Sequence, residues 1–141
     1  MKVGELMTES VSALTSDMSL AEAARIMQRE NLGALPVAAD GFLIGMLTDR
    51  DITTRCVAAG QDPASVAVGE ICTKGAVWIS PEHSVTEAAR RMARTKVRRL
   101  PVLKQGRLVG MISLADIARA RNYFAEAASA FCDICKQETE N

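Results

Sequence analysis

The chain has 141 residues, 48% of them hydrophobic and 24% charged, an ordinary balance for a globular protein. Its 17 basic and 17 acidic residues cancel, which argues against a protein built mainly to hold nucleic acid. No apolar run nears the ~18 residues of a membrane span, and the start Met1-Lys2-Val3-Gly4-Glu5 does not read as a secretory signal, so no membrane association and a cytoplasmic location are expected.

Val11 to Leu14 is predicted as a short strand. Ser19-x-x-Glu22 then forms a capping box, which satisfies free amide donors at a helix start. Behind it Leu20, Ala23, Ala24 and Met27 stand at i, i+3, i+4 and i+7, the spacing of one apolar helical stripe. Leu35-Pro36-Val37 opens a strand, where proline is tolerated. Gly41 marks a turn into a second strand, Phe42–Leu47, and a helix is predicted from Asp49.

The same order returns, without a gap, 65 residues later. Val77–Ile79, the box Ser84-x-x-Glu87, the stripe Val85, Ala88, Ala89 and Met92, Leu100-Pro101-Val102, Gly106, the strand Arg107–Ile112 and a helix from Leu114 repeat the first series. Of the 53 positions from 3 to 55, 20 are identical to their partners, so the unit is duplicated. One unit of about fifty residues buries too little surface to be secure alone. Two packed face to face would share a core and leave a cleft along a pseudo-twofold axis. The predicted fold is therefore α+β: two βαββα units in one module, residues 1–64 and 65–123, followed by a helical tail, 124–141. The tail is predicted to be helical from Arg119 to Lys136, with Tyr123, Phe124, Ala127, Ala128, Phe131 and Cys132 as an apolar stripe that packs on the module or on a dimer partner.

Charge is uneven along this frame, −4 over 1–64, +7 over 65–123 and −3 over the tail. A positive second half suits an anionic ligand, although Arg90, Arg91 and Arg94 fit the wet face of a helix. At each strand-to-helix junction a hydroxyl stands three residues before an aspartate: Thr48-x-x-Asp51 and Ser113-x-x-Asp116. A carboxylate can accept both hydroxyls of a ribose, and a hydroxyl with free helix amides suits a phosphate. The same pattern is also a helix cap that needs no ligand. Met46 and Met111, two residues before each hydroxyl, suit either a ligand cleft or a plain core.

Four cysteines do not make a disulfide framework here, and reduced thiols are expected. Zinc normally takes four ligands. Cys132-x-x-Cys135 offers two, His83 is the only histidine, and an all-thiolate site would need a second chain's pair. No metal site is assigned, and the pair reads as incidental cysteines on a helix. With no second histidine, recognisable nucleophile motif or glycine-rich phosphate loop, no catalysis is expected.

Val-Gly-Glu-Leu-Met-Thr at 3–8, the Glu-Ala-Ala helix, Leu-Pro-Val, Gly-Met-Leu-Thr-Asp-Arg-Asp-Ile at 45–52, Arg-Arg-Leu-Pro-Val at 98–102 and Gly-Met-Ile-Ser-Leu-Ala-Asp-Ile at 110–117 together resemble a CBS (cystathionine beta-synthase) domain pair over about residues 3–120. The resemblance implies a regulatory module that binds AMP, ADP, ATP or S-adenosylmethionine in the cleft between repeats, requires no cofactor, forms a homodimer and acts on a separate target chain. It also implies that the aspartate holds ribose, that the hydroxyl reaches phosphate, and that an arginine just before Leu-Pro-Val contacts phosphate. The second copy has Arg98 and Arg99 there; the first has Gly33 and Ala34, unless Arg50, matched by Ala115, substitutes. Two unequal sites are expected, the second preferring the more anionic ligand. The alternatives are a degenerate pair kept for dimerisation or partner docking, and a nucleic-acid binder using the basic second repeat from Arg90 to Arg99.

Overall fold

The computed structural model describes residues 1–136. In chain order the elements are α1 (Val3–Leu6), α2 (Leu20–Glu30), β1 (Ala34–Ala39), β2 (Phe42–Thr48), α3 (Asp49–Ile52), a π-helical turn (Thr53–Val57), α4 (Val68–Ile71), β3 (Thr73–Lys74), α5 (Val85–Thr95), β4 (Arg99–Lys104), β5 (Arg107–Ser113), α6 (Leu114–Arg119) and α7 (Phe124–Cys135). The predicted α+β class is the one observed.

These elements fall into two compact units that do not follow the simple halves of the sequence. The first holds Ser12–Ala76 with Gly106–Leu108; the second holds Met1–Val11, Val77–Gln105 and the residues from Val109 onward. Each repeat's opening turn has been traded. Val3 and Gly4 donate their N–H groups to His83 O and Pro81 O at 2.9 and 3.0 Å, all in the second unit. Their equivalents Val68 and Gly69 donate to Met18 O and Ser16 O at 2.7 and 2.9 Å, all in the first. The short helices α1 and α4 were absent from the predicted elements. Each is closed by a carboxylate that reaches back to a backbone N–H: Glu5 to Lys2 at 2.6 Å and Glu70 to Ala67 at 2.8 Å.

In the first unit β1 runs antiparallel to β2, pairing Leu35 with Leu47 and Pro36 with Met46, and β3 pairs with β2 through Met46 and Thr73. Helix α2 starts as predicted, with Ser19 Oγ accepting the Glu22 N–H at 3.1 Å, and stops at Asn31, whose φ of 54° is left-handed. Its stripe enters a core of Leu14, Leu20, Ala23, Met27, Leu35, Val37, Leu47, Ile52, Cys56, Val66, Val68 and Cys72. Apolar burial of this kind is the main stabilising term, at about 1.5–3 kcal/mol per large side chain.

The second unit repeats this arrangement. Ser84 caps α5 through the Glu87 N–H at 3.1 Å, and Val85, Ala88, Ala89 and Met92 are buried with Leu100, Val102, Ile112 and Ile117. Its equivalent of β3 is Thr8, which exchanges two backbone hydrogen bonds with Met111 at 2.8 and 2.9 Å. Gly110 in β5 is needed there: a Cβ would lie 2.8 Å from both Met7 Sδ and Thr8 O.

Three expectations need correction. Val11–Leu14 and Val77–Ile79 do not form strands; Leu14 and Ile79 each make one parallel bridge, to Val37 and Val102, before the chain turns away. The tail helix does not begin at Arg119. Ala120 turns extended, with ψ 134°, and Asn122 adopts φ 71°, a left-handed conformation that asparagine tolerates and a helix cannot continue through, so α6 ends at Arg119 and α7 begins at Phe124. The predicted stripe is also split: Tyr123 and Ala127 pack inward, joined by Ala130, as α7 lies on α5 and α6, while Phe124, Ala128, Phe131 and Cys132 are exposed. The last residue of that predicted segment, Lys136, follows the helix as its C-cap.

Among the described residues no helix is long and apolar enough to cross a membrane.

Candidate functional site

The two hydroxyl–aspartate motifs sit where β2 passes into α3 and where β5 passes into α6. An extended residue at φ near −113°, Thr48 or Ser113, is the N-cap in each. In the second unit Ser113 Oγ accepts the Asp116 N–H at 3.1 Å, and Asp116 Oδ2 accepts both the Ser113 N–H and the Ser113 hydroxyl at 2.8 Å. In the first unit Thr48 Oγ1 accepts the Asp51 N–H and Asp51 Oδ2 accepts the Thr48 N–H, both at 3.0 Å. These are complete capping boxes, so the structural reading of the motif holds in both copies. The cap uses one carboxylate oxygen. The other, Oδ1, takes an arginine in each case: Arg119 at 2.9 Å from Asp116, and Arg55 at 3.5 Å from Asp51.

Sequence reasoning did not single out Arg119 or Arg55, although their spacing from the aspartates, i+3 and i+4 on a helix, was a readable signal. They are not equivalent. Arg55 is anchored, since its Nη1 donates to Ile71 O at 2.8 Å and Thr73 Oγ1 at 3.1 Å. Arg119 is 73% exposed, and Asp116 is its side-chain partner.

The residue before Leu-Pro-Val is fixed to each junction by the backbone. Leu114 donates its N–H to Arg98 O at 2.8 Å, and Asp49 donates to Gly33 O at 2.9 Å. Arg98 is therefore beside the Ser113–Asp116 motif; its guanidinium lies over the Phe131 ring of α7, 5.4 Å from the centroid. Arg99 heads β4 and is half-buried. In the first unit the space opposite Gly33 is taken by the Asp49 carboxylate, which a Cβ at Gly33 would meet at 3.1 Å. Arg50 is exposed on α3 next to it. The residues named at the second junction, Arg98, Arg99, Arg119 and Asp116, sum to a formal +2, whereas the first balances Arg50 and Arg55 against Asp49 and Asp51. Met46 is half-buried, and Met111 is 8% exposed.

The basic stretch from Arg90 to Arg99 does not form one surface. Arg91 turns to Glu87 at 3.0 Å, to Trp78 O at 2.7 Å and to the His83 ring at 3.3 Å. That hydrogen bond from Arg91 is the chief cause holding the Glu87 carboxyl below its usual range. Arg90, Arg94 and Lys96 instead line a shallow hollow of about 440 Å³ with Ala93, Asp133 and Lys136.

Comparison with known proteins agrees with this arrangement. The CBS domain family matches residues 3–57 and 68–123. The chain is 38% identical over 135 residues to the CBS domain-containing protein YhcV of Bacillus subtilis, covering 96% of each chain. It is 38% identical over 116 residues to hypoxic response protein 1 of Mycobacterium tuberculosis, covering 82% of this chain and 81% of that one. A crystal structure of Hypoxic Response Protein I with two coordinated zinc ions superposes with a TM-score of 0.79 at 37% identity, covering 84% of this chain and 98% of the other. The CBS domain pair of protein MJ0100, solved with 5′-methylthioadenosine and S-adenosyl-L-methionine, superposes with a TM-score of 0.76 at 26% identity, covering 84% and 94%. The chain belongs to the CBS domain family and carries two CBS domains in tandem, the arrangement of a regulatory module.

Proposed function

We propose that the protein is a non-catalytic sensor of adenosine-containing ligands whose two junctions differ in the charge they accept. The observation that carries this reading is the duplicated hydroxyl–aspartate junction with unlike cations around it. At the second junction Asp116 Oδ1 is the acceptor for the ribose hydroxyls, the exposed Arg119 being its sole competitor, while Arg98 and Arg99 meet the phosphates and the buried Ser113, whose hydroxyl donates to Asp116 Oδ2, holds that carboxylate in place. A formal +2 there favours ATP or ADP. At the first junction Thr48 and Asp51 take the ribose in the same way, and Arg50 is the available cation. With Asp49 beside it, that site favours AMP or S-adenosylmethionine. Met46 and Met111 lie along the strands that lead into the two junctions and supply apolar contact to the base. A related CBS pair holding 5′-methylthioadenosine and S-adenosyl-L-methionine supports this ligand class. The protein works as a homodimer that passes ligand occupancy to a target protein.

Thermal unfolding with and without ligand tests the reading. A ligand at 100 times its Kd adds about 2.7 kcal/mol to stability. ATP and S-adenosylmethionine are expected to raise the Tm separately and, when added together, to raise it further. If AMP, ADP, ATP and S-adenosylmethionine all leave the Tm unchanged at millimolar concentration, the pair is a degenerate one kept for dimerisation or docking.

A further inference from the structure

Helix α7 has two apolar faces. Tyr123, Ala127, Ala130 and Ile134, spaced i, i+4, i+7 and i+11, turn into the second unit, with Ala127 and Ala130 only 3% and 4% exposed. Phe124, Ala128, Phe131, Cys132 and Cys135, spaced i, i+4, i+7, i+8 and i+11, form a second stripe, and all five are exposed. Phe124 is 72% and Phe131 47% open. At about 1.5 Å per residue the stripe runs about 17 Å, close to the whole helix.

Both cysteines on this stripe are free thiols. Three residues apart on a helix, their Cβ atoms lie about 5–6 Å from each other. Two sulfurs on one tetrahedral zinc, each about 2.3 Å from the ion, are about 3.8 Å apart, a separation that side-chain rotation reaches from such positions. The pair thus supplies two of the four ligands that a tetrahedral zinc takes. The other half is not found among the described residues, which hold no group of three or more His, Cys, Asp or Glu able to hold a metal. The intervening Asp133 is bonded to Lys136 at 2.8 Å, and Cys56 and Cys72 are buried in the first unit's core.

We propose that two copies of this chain share one zinc ion, bound by Cys132 and Cys135 of each, with the exposed stripes of their α7 helices packed around it. Among the described residues the site is incomplete without the second copy. The stripes are also insufficient without the metal: an aromatic side chain buries about 150–250 Å², so two partly open phenylalanines per copy fall short of the ~1,000 Å² that a stable interface needs. On binding, four thiols release their protons to solvent, leaving a tetrathiolate of net charge −2. Lys136, next to Cys135 in the chain, and Arg98, over Phe131, supply nearby positive charge.

The test loads the reduced full chain with zinc, removes loose metal by gel filtration, and measures metal and protein together. The expected result is about 0.5 zinc per chain. Cobalt in place of zinc should give the intense visible bands of a tetrahedral thiolate site. Cys132→Ser with Cys135→Ser should abolish both signals while leaving the melting curve of the metal-free chain unchanged, because both side chains are exposed. Phe131→Ala, which keeps every thiol, should weaken zinc retention several-fold. No bound zinc, zinc retained by the double variant, or a disulfide in place of metal would overturn the proposal. So would one zinc per chain, which would mean that the site is completed from within a single copy.

Discussion

Asp116→Ala should cost more stability than Asp51→Ala, and the structure gives the size of the difference. Asp116 Oδ2 accepts the Ser113 N–H and hydroxyl, both at 2.8 Å, and Ser113 is 5% exposed. Its N–H, once orphaned, has little water to turn to, and a buried unsatisfied donor costs about 1–3 kcal/mol. The pair with the exposed Arg119 adds about 1 kcal/mol at most. The expected loss is about 2–3 kcal/mol. Asp51→Ala removes one bond, to the N–H of a half-buried Thr48 that water can reach, and a looser contact to Arg55, for about 1 kcal/mol. Urea unfolding followed by circular dichroism measures both. Asp116→Asn, which keeps a carbonyl acceptor, should fall between Asp116→Ala and the parent chain. Equal losses at the two aspartates, or an Asp116→Ala loss below about 0.5 kcal/mol, would refute the view that Asp116 is committed to the cap through Oδ2.

Replacing Arg98 and Arg99 together by alanine should weaken ATP and ADP binding about 10–100-fold, the worth of a charge-assisted hydrogen bond, and leave S-adenosylmethionine nearly untouched; calorimetric affinities decide it. Gly110→Ala should cost about 1–3 kcal/mol, because the new Cβ would lie 2.8 Å from Met7 Sδ and Thr8 O, and a thermal melt would show the loss. Glu87 is held below its usual pKa of 4.5 by Arg91, so its share of stability is present above that value and is lost as pH falls through the lowered one. Glu87→Gln should therefore lose about 1 kcal/mol or less at neutral pH, and the gap to the parent chain should close in acid.

Local chemistry was legible where a side chain acts on its own backbone. Ser19, Ser84, Thr48 and Ser113 cap the helices that their spacing announced, and the stripes Leu20–Met27 and Val85–Met92 fill the two cores. The exchange of Val3-Gly4 and Val68-Gly69 was not legible: each turn donates to carbonyls about 80 or 50 residues away by sequence, and nothing in a linear pattern says which copy will receive it. Leu14 and Ile79 looked like strands because they are β-prone and buried, but each pairs at one residue only. The break at Asn122 was missed because the apolar spacing of the tail continues through it, while the left-handed turn depends on backbone geometry. Of the site, the hydroxyl–aspartate pairs and the contrast between Arg98-Arg99 and Gly33-Ala34 could be read directly. The arginines on Asp116 and Asp51 required the helix geometry that brings i+3 and i+4 back over the aspartate.

The central claim, ligand binding at the charged second junction, is tested most directly by calorimetric titration of ATP into the parent chain, Asp116→Ala and Asp51→Ala. The titrations belong at a temperature where circular dichroism shows all three folded. Saturable binding by the parent chain, abolished by Asp116→Ala and retained by Asp51→Ala, is the predicted result. Binding that survives Asp116→Ala unchanged, or no saturable heat with the parent chain, would contradict it.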